Sequence, residues 1–245
     1  VSFASHHWPT WGTANIVEYL SKQRDLYAYL NDQTLRYLNR GFTGVEIAEM
    51  IELPPSLARS WHCRGYYGSV SHNVKAVYQR YLGWFDGNPA HLWPHPPEAA
   101  AVRYVEYMGG ADAVLERAEA SFASGDYRWV AEVVNHVVFA DPSNMAAREL
   151  LARTYTQMGY AQENATWRNF FLTGAQELRG IDVAGPAGQN ALALMAHISV
   201  TQVFDAVAIR IDGMRAAEHR FDINWTISDT GERHLLRLEN GVLSN

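Results

Sequence analysis

Two stretches of the chain carry residue types that could do chemistry. The first is Ser5-His6-His7-Trp8-Pro9, which sets two adjacent imidazoles directly after residues 1–5, a segment that reads as a strand. A neutral imidazole is a common metal ligand, and open sheets collect ligands at the carboxyl ends of their strands. Neighbouring strand residues point to opposite faces, so only one histidine of such a pair enters a given site easily. On spacing alone the pair is either a source of one metal ligand or a structural hydrogen-bonding group. The second stretch is Arg64-Gly65-Tyr66-Tyr67-Gly68-Ser69-Val70-Ser71-His72-Asn73, running on to Lys75 and Arg80. Glycines and tyrosines leading into a helix, with Arg64, Tyr67, His72 and Arg80 as donors, could hold a tetrahedral oxyanion. Backbone N–H groups at a helix start favour negative charge, and Arg adds directed hydrogen bonds. The plain alternative is a loop that caps a helix and leaves Arg80 solvated.

The other histidines offer less. His91 and His95 are four apart, but Pro94 between them breaks a helical face. His136 and His197 fall in apolar stretches and read as core residues. The ten histidines form no HExxH and no HxHxDH pattern, and a lone Cys63 excludes both paired CxxC ligands and an internal disulfide framework. A self-contained zinc site needs three or four ligands at readable spacings.

The elements that must position these groups are mostly helical. Residues 12–40 carry a long helical pattern, continuous or broken, after which Thr43-Gly44-Val45-Glu46 has capping-box spacing and opens a short helix over 45–51. Pro54-Pro55 stops it, and 71–84 reads as helix ended by Asp86-Gly87-Asn88-Pro89. The Pro-rich run 91–97 reads as a linker. Five further helices follow over about 98–108, 111–123, 127–139, 145–158 and 163–178. Val130, Val133, Val134, Val137 and Val138 mark one buried face. Gly125 and Gly159 are 34 residues apart, each closely followed by a tyrosine at a helix start. That is the period of tetratricopeptide repeats, so a helical hairpin array is expected, with packing or protein contact as its role. Residues 181–190 read as a second linker, and a last unit from Ala191 holds one or two helices and a hairpin. Phe221, Ile223, Trp225 and Ile227 would line one strand face, Asp229-Thr230-Gly231 turns the chain, 234–239 is the second strand, and Asn240-Gly241 predicts a tight turn into a third.

Bulk composition sets the outer limits. With 48% apolar and 19% charged residues the chain is an ordinary globular one. A net charge of −6 with 20 scattered Lys and Arg argues against nucleic acid. No run reaches about 18 apolar residues, so no membrane span is expected. Residues 1–5 lack a signal-peptide pattern, and the incomplete sheets at both ends read as cuts through a larger protein.

The histidine pair, the block 64–84 and Phe85-Asp86-Gly87-Asn88-Pro89 together resemble the alkyl sulfatases of the metallo-β-lactamase superfamily. Segments 104–113, 125–144 and 167–179 resemble that family's helical dimerisation domain, and the tail from Ala191 its sterol-carrier-like C-terminal domain. The fold this implies is mainly α. Residues 1–40 would be the end of an αββα catalytic domain, 41–180 a tetratricopeptide-like dimerisation domain, and 190–245 a partial α+β sterol-carrier-like domain. The activity it implies is hydrolysis of alkyl sulfate esters of the dodecyl sulfate type, to alcohol and sulfate, by two zinc ions in a homodimer. His6 then matches the last metal-ligand histidine, with His7 the alternative one residue on, and Arg64, Tyr67, His72 and Arg80 match a sulfate-facing segment. Family analogy also implies export or the periplasm. The remaining zinc ligands are absent from this chain, which alone is expected to be inactive. The competing readings are a non-catalytic helical pairing module and, from the tail, a lipid or surfactant carrier.

Overall fold

The computed structural model describes residues 1–183 and 198–245 of the chain. The expected linker over 181–190, the helix start at Ala191 and His197 fall wholly or largely outside those residues. Contacts divide the chain into two compact units, residues 1–183 and 184–245.

The first unit is helical and holds two apolar cores. Around the first lie α1 (Thr13–Leu38), α2 (Gly44–Met50) and α4 (Val70–Leu82), with the single turn α3 (Pro55–Ala58) between the last two. Helix α1 is continuous over 26 residues, with no interruption. The capping box that opens α2 is real. Thr43 Oγ1 accepts the Glu46 N–H at 3.4 Å, and the Glu46 carboxylate accepts the Thr43 N–H at 2.8 Å. Leu30 of α1 packs with Ile47, Ile51, Val74 and Tyr78, so α1 shares its core with the helices that follow it. Gly44 lets α2 approach α4 closely, since a Cβ there would stand 3.0 Å from Cγ of Tyr78.

The second core is built by α5 (Pro97–Tyr107), α6 (Ala111–Ala123), α7 (Tyr127–Ala140), α8 (Met145–Tyr160) and α9 (Ala165–Leu178). The valine stripe works as its spacing predicts: Val130, Val134 and Val137 are fully buried against Val114, Leu150 and Leu151. Complete burial of each such side chain contributes about 1.5–3 kcal/mol. His136 lies beside this stripe, half-buried and stacked on Tyr104 at 4.5 Å. Helix α9 lies on α8, with Gly159 facing Leu172 and Gly174 facing Tyr155.

One segment differs from expectation. Residues 1–5 form no strand; Ser2 makes one bridge with Thr10, each donating to the other's carbonyl at 2.9 and 2.7 Å. A strand needs a partner row of backbone groups, and among the described residues none lies beside this segment. Just ahead of the Pro-rich run 91–97, Pro89–His91 forms a 3-10 turn in which the Asn88 side chain accepts the Ala90 N–H.

In the second unit, α10 (Val200–Ala208) opens on a second capping box, Ser199 with Gln202, and α11 (Gly213–Ala216) is one turn. Strands β1 (Phe221–Thr226), β2 (Arg233–Glu239) and β3 (Val242–Ser244) form an antiparallel meander. Asn240 and Gly241 both have positive φ, 52° and 75°, as a tight hairpin turn needs. Phe204 of α10 covers Trp225 and His234, yet Phe221, Ile223 and Trp225 stay half-exposed. No helix among the described residues is long and apolar enough to cross a membrane.

Candidate functional site

The two expected stretches meet. The ring of His6 lies flat on Tyr67, centroids 3.7 Å apart and planes within 3°. His6 is exposed, and stacking orients its ring without occupying either nitrogen. His7 turns the other way, among Trp61 at 4.6 Å and Tyr66 at 5.7 Å. Its Nδ1 accepts the N–H of Trp8 at 2.9 Å, so in the neutral ring the proton sits on Nε2, which is buried without a partner. A protonated nitrogen has no lone pair for a metal. His7 thus has one ring nitrogen engaged by the backbone, whereas among the described residues neither ring nitrogen of His6 makes a hydrogen bond.

Loop 64–69 runs between these rings and α4. A Cβ on Gly65 would stand 3.0 Å from the Gly68 carbonyl, so a side chain there would press on the fold-back of the loop. Ser69 caps α4 by accepting the His72 N–H at 3.1 Å. That cap consumes one backbone donor which the sequence had offered to an anion.

The loop is clamped by the turn between α8 and α9, nearly a hundred residues later. The Ala165 N–H donates to the Tyr66 carbonyl at 2.9 Å. The side-chain amide of Asn164 donates to the Tyr67 carbonyl, and Thr166 Oγ1 reaches the same oxygen at 3.3 Å. The Glu163 carboxylate pairs with Arg64 at 2.6 Å, and the Trp167 indole N–H donates to Nδ1 of His72 at 3.2 Å. Both members of the Arg64 pair are half-exposed, so the pair itself adds about 0–1 kcal/mol, and the guanidinium keeps other N–H groups for an anion.

Two cavities flank the loop. One of about 480 Å³ is lined by His6, His7, Tyr19, His62, Arg64 and Tyr66 among others. The second, about 750 Å³, is bounded by Tyr67, His72, Trp167, Phe170 and Phe171 and is largely apolar. Arg80 lines neither; it is exposed near the end of α4, about 12 Å along the axis from His72 at 1.5 Å per residue. Of the four expected anion-facing residues, Arg64 lines the first cavity, His72 the second and Tyr67 both, while Arg80 lies apart.

His62 is the residue that spacing did not reveal. It is buried, its Nε2 has no partner, and the Gln23 amide donates to its carbonyl. Burial pushes its pKa below the ordinary histidine value, with Lys22 and His7 adding to the effect. Its neighbours Trp61 and Cys63, apolar and directly before the loop, were the available signal. Burial also pushes the Cys63 thiol up. Among the described residues no group of three His, Cys, Asp or Glu side chains could hold a metal ion. These residues fit a metal as the donor of one ligand, not as a complete site.

The family model described as "Alkyl sulfatase dimerisation" matches residues 43–180, more than half of the chain. The chain belongs to the alkyl sulfatase dimerisation family. A second model, "Alkyl sulfatase C-terminal", matches residues 189–245. The chain is 50% identical over 252 residues to a linear primary-alkylsulfatase of a Pseudomonas species, covering 100% of this chain and 36% of that protein. It is 50% identical over 246 residues to the alkyl/aryl-sulfatase BDS1 of Saccharomyces cerevisiae, covering 100% of this chain and 38% of that one. Among solved structures, the stereoselective inverting sec-alkylsulfatase Pisa1 from a Pseudomonas species superposes with a TM-score of 0.91 at 47% identity. That match covers 97% of this chain and 37% of the Pisa1 chain. The chain thus corresponds to the dimerisation and C-terminal region of alkylsulfatases and spans little more than a third of their length.

Proposed function

We propose that this chain is part of a zinc-dependent alkyl sulfatase, in which it supplies the dimerisation helices and one edge of the active site. The clamp of residues 163–167 on loop 64–72 carries the reading, because it ties down Arg64, Tyr67 and His72 along one stretch whose Tyr67 stacks on His6. His6 would be the chain's single zinc ligand, with the ligands that complete a two-ion centre supplied by the rest of the enzyme. Zinc bound there would polarise a water for attack on the ester. The chain's own residues bind and orient. Arg64 and the Nε2–H of His72 donate to sulfate oxygens, the Tyr67 hydroxyl adds a third donor, and together they offset the charge of the departing sulfate. The apolar cavity around Trp167, Phe170 and Phe171 suits the alkyl chain of a dodecyl sulfate type ester. The names of the relatives, which cover primary and secondary alkyl sulfates, support that substrate class.

In the second core α6 lies on α7, α7 on α8 and α8 on α9, while α5 packs on α7, and Gly125 and Gly159 keep the 34-residue spacing, which supports a tetratricopeptide-like array that joins two chains into a homodimer. The helix and meander of the second unit suit the start of a sterol-carrier-like domain, and 1–40 the end of a metallo-β-lactamase domain. Sedimentation of the 245-residue chain at micromolar concentration should give a dimer, and inorganic sulfate should bind, more weakly after Arg64→Ala. The chain with or without zinc should hydrolyse no dodecyl sulfate above background. Robust turnover would overturn the partial-enzyme reading, and a dimer that binds no sulfate would leave only a pairing module.

A further inference from the structure

We infer that Trp167 is a positioning residue for His72, holding its ring as the Nε2–H tautomer and aiming that donor at the sulfate group. The inference rests on the sulfate-loop reading above and adds a residue and a mechanism to it.

The geometry has three parts. The indole N–H has one proton and no lone pair, so at 3.2 Å from Nδ1 of His72 it can only donate. Nδ1 must then be the acceptor nitrogen, and the single ring proton of neutral His72 lies on Nε2. The rings meet nearly edge to face, centroids 6.2 Å apart at 72°, which fixes the direction of Nε2 as well as its proton. A ring held from one side only at Nδ1 presents the opposite, protonated nitrogen outward.

Trp167 is itself held. Its backbone N–H is taken by Asn164 Oδ1 at 2.7 Å, and Lys75 Nζ lies over its ring at 5.8 Å. The same Asn164 grips the Tyr67 carbonyl. One short segment of the dimerisation helices therefore sets both the path of the sulfate loop and the polarity of its histidine. Without the indole N–H, His72 is free to turn or to carry its proton on Nδ1, and only a fraction of the molecules present the donor. Apparent affinity falls by that fraction.

The test uses the 245-residue chain with inorganic sulfate as probe. Nitrogen-15 NMR of the histidine rings should show a pyridine-type Nδ1 and a pyrrole-type Nε2 for His72. Trp167→Phe should disturb that signature and weaken sulfate binding by about threefold to tenfold, whereas His72→Phe should weaken it by about tenfold or more, the usual worth of a hydrogen bond to a charged group. In a double-mutant cycle the two losses should not add, because one residue acts through the other. Replacing Trp167 with its benzothiophene isostere, which keeps the shape and lacks the N–H, should reproduce the Phe result without a packing gap. A proton on Nδ1 in the native chain, an unchanged His72 signature in both Trp167 replacements, or fully additive losses would overturn the inference. Native sulfate affinity in His72→Phe, with the tautomer shift intact in Trp167→Phe, would instead overturn the sulfate reading beneath it.

Discussion

Asn164 is the residue whose removal should reveal most about how the two halves of the site are joined. It is 4% exposed and uses both ends of its amide. Oδ1 caps α9 by accepting the Trp167 N–H at 2.7 Å, and Nδ2 donates to the Tyr67 carbonyl. Losing an asparagine cap costs about 0.5–2 kcal/mol. Losing the hydrogen bond to the carbonyl of the exposed Tyr67 costs about 0.5–1.5 kcal/mol, softened because Thr166 Oγ1 still reaches that oxygen at 3.3 Å. Asn164→Ala should therefore lower stability by about 1–3 kcal/mol, which for a unit of this size lowers Tm by about 2–12 °C. Asn164→Ser keeps a good cap and loses only the loop bond, so its cost should be about 0.5–1.5 kcal/mol. Urea unfolding gives both values, and hydrogen exchange at the Ala165 amide reports the loop separately, since that N–H is bonded to Tyr66. An Asn164→Ala variant within about 0.5 kcal/mol of the native chain would refute the clamp, because ordinary surface substitutions fall in that range. So would Ser proving as costly as Ala.

Two further expectations follow from packing and charge. Gly159→Ala should destabilise despite the better helix propensity of alanine, worth about 0.5–1 kcal/mol. The new Cβ would stand 2.9 Å from Cγ and Cδ2 of Leu172, and relieving such overpacking costs about 1–3 kcal/mol. A rise in Tm would show that α9 moves off α8 freely. His62 should make stability fall in mild acid. Its folded pKa lies below the ordinary value of about 6.5, so the unfolded chain takes up the proton first. The native state then loses ground as pH drops from about 6.5 towards the folded pKa. His62→Gln should flatten the unfolding free energy between pH 7.5 and 5.5, and an unchanged pH profile would contradict the burial of a neutral imidazole there.

Much of the local structure was legible because it is made by neighbours. Thr43 and Glu46 cap each other across three residues, Asn240-Gly241 turns the hairpin within itself, and the valines of α7 share a face because a helix repeats every 3.6 residues. The types of the site residues were legible for the same reason: two adjacent imidazoles and an Arg-Gly-Tyr-Tyr-Gly loop before a helix are local facts. Residues 1–5 misled because their strand pattern said nothing about whether a partner row lay beside them.

Which of those residues work together was decided only by tertiary structure. His6 and Tyr67 stack across sixty residues, and Trp167 meets His72 across ninety-five. Arg80 looked equivalent to Arg64 on paper, but one turn of helix after another carries it away from the loop. The proton position on each imidazole is likewise a tertiary property, set for His7 by the bend at Trp8 and for His72 by an indole from another helix. The physical reason is range. Caps, turns and apolar stripes are fixed by interactions a few residues long, whereas the site exists because two separate cores, one under α4 and one under α9, bring their edges into contact.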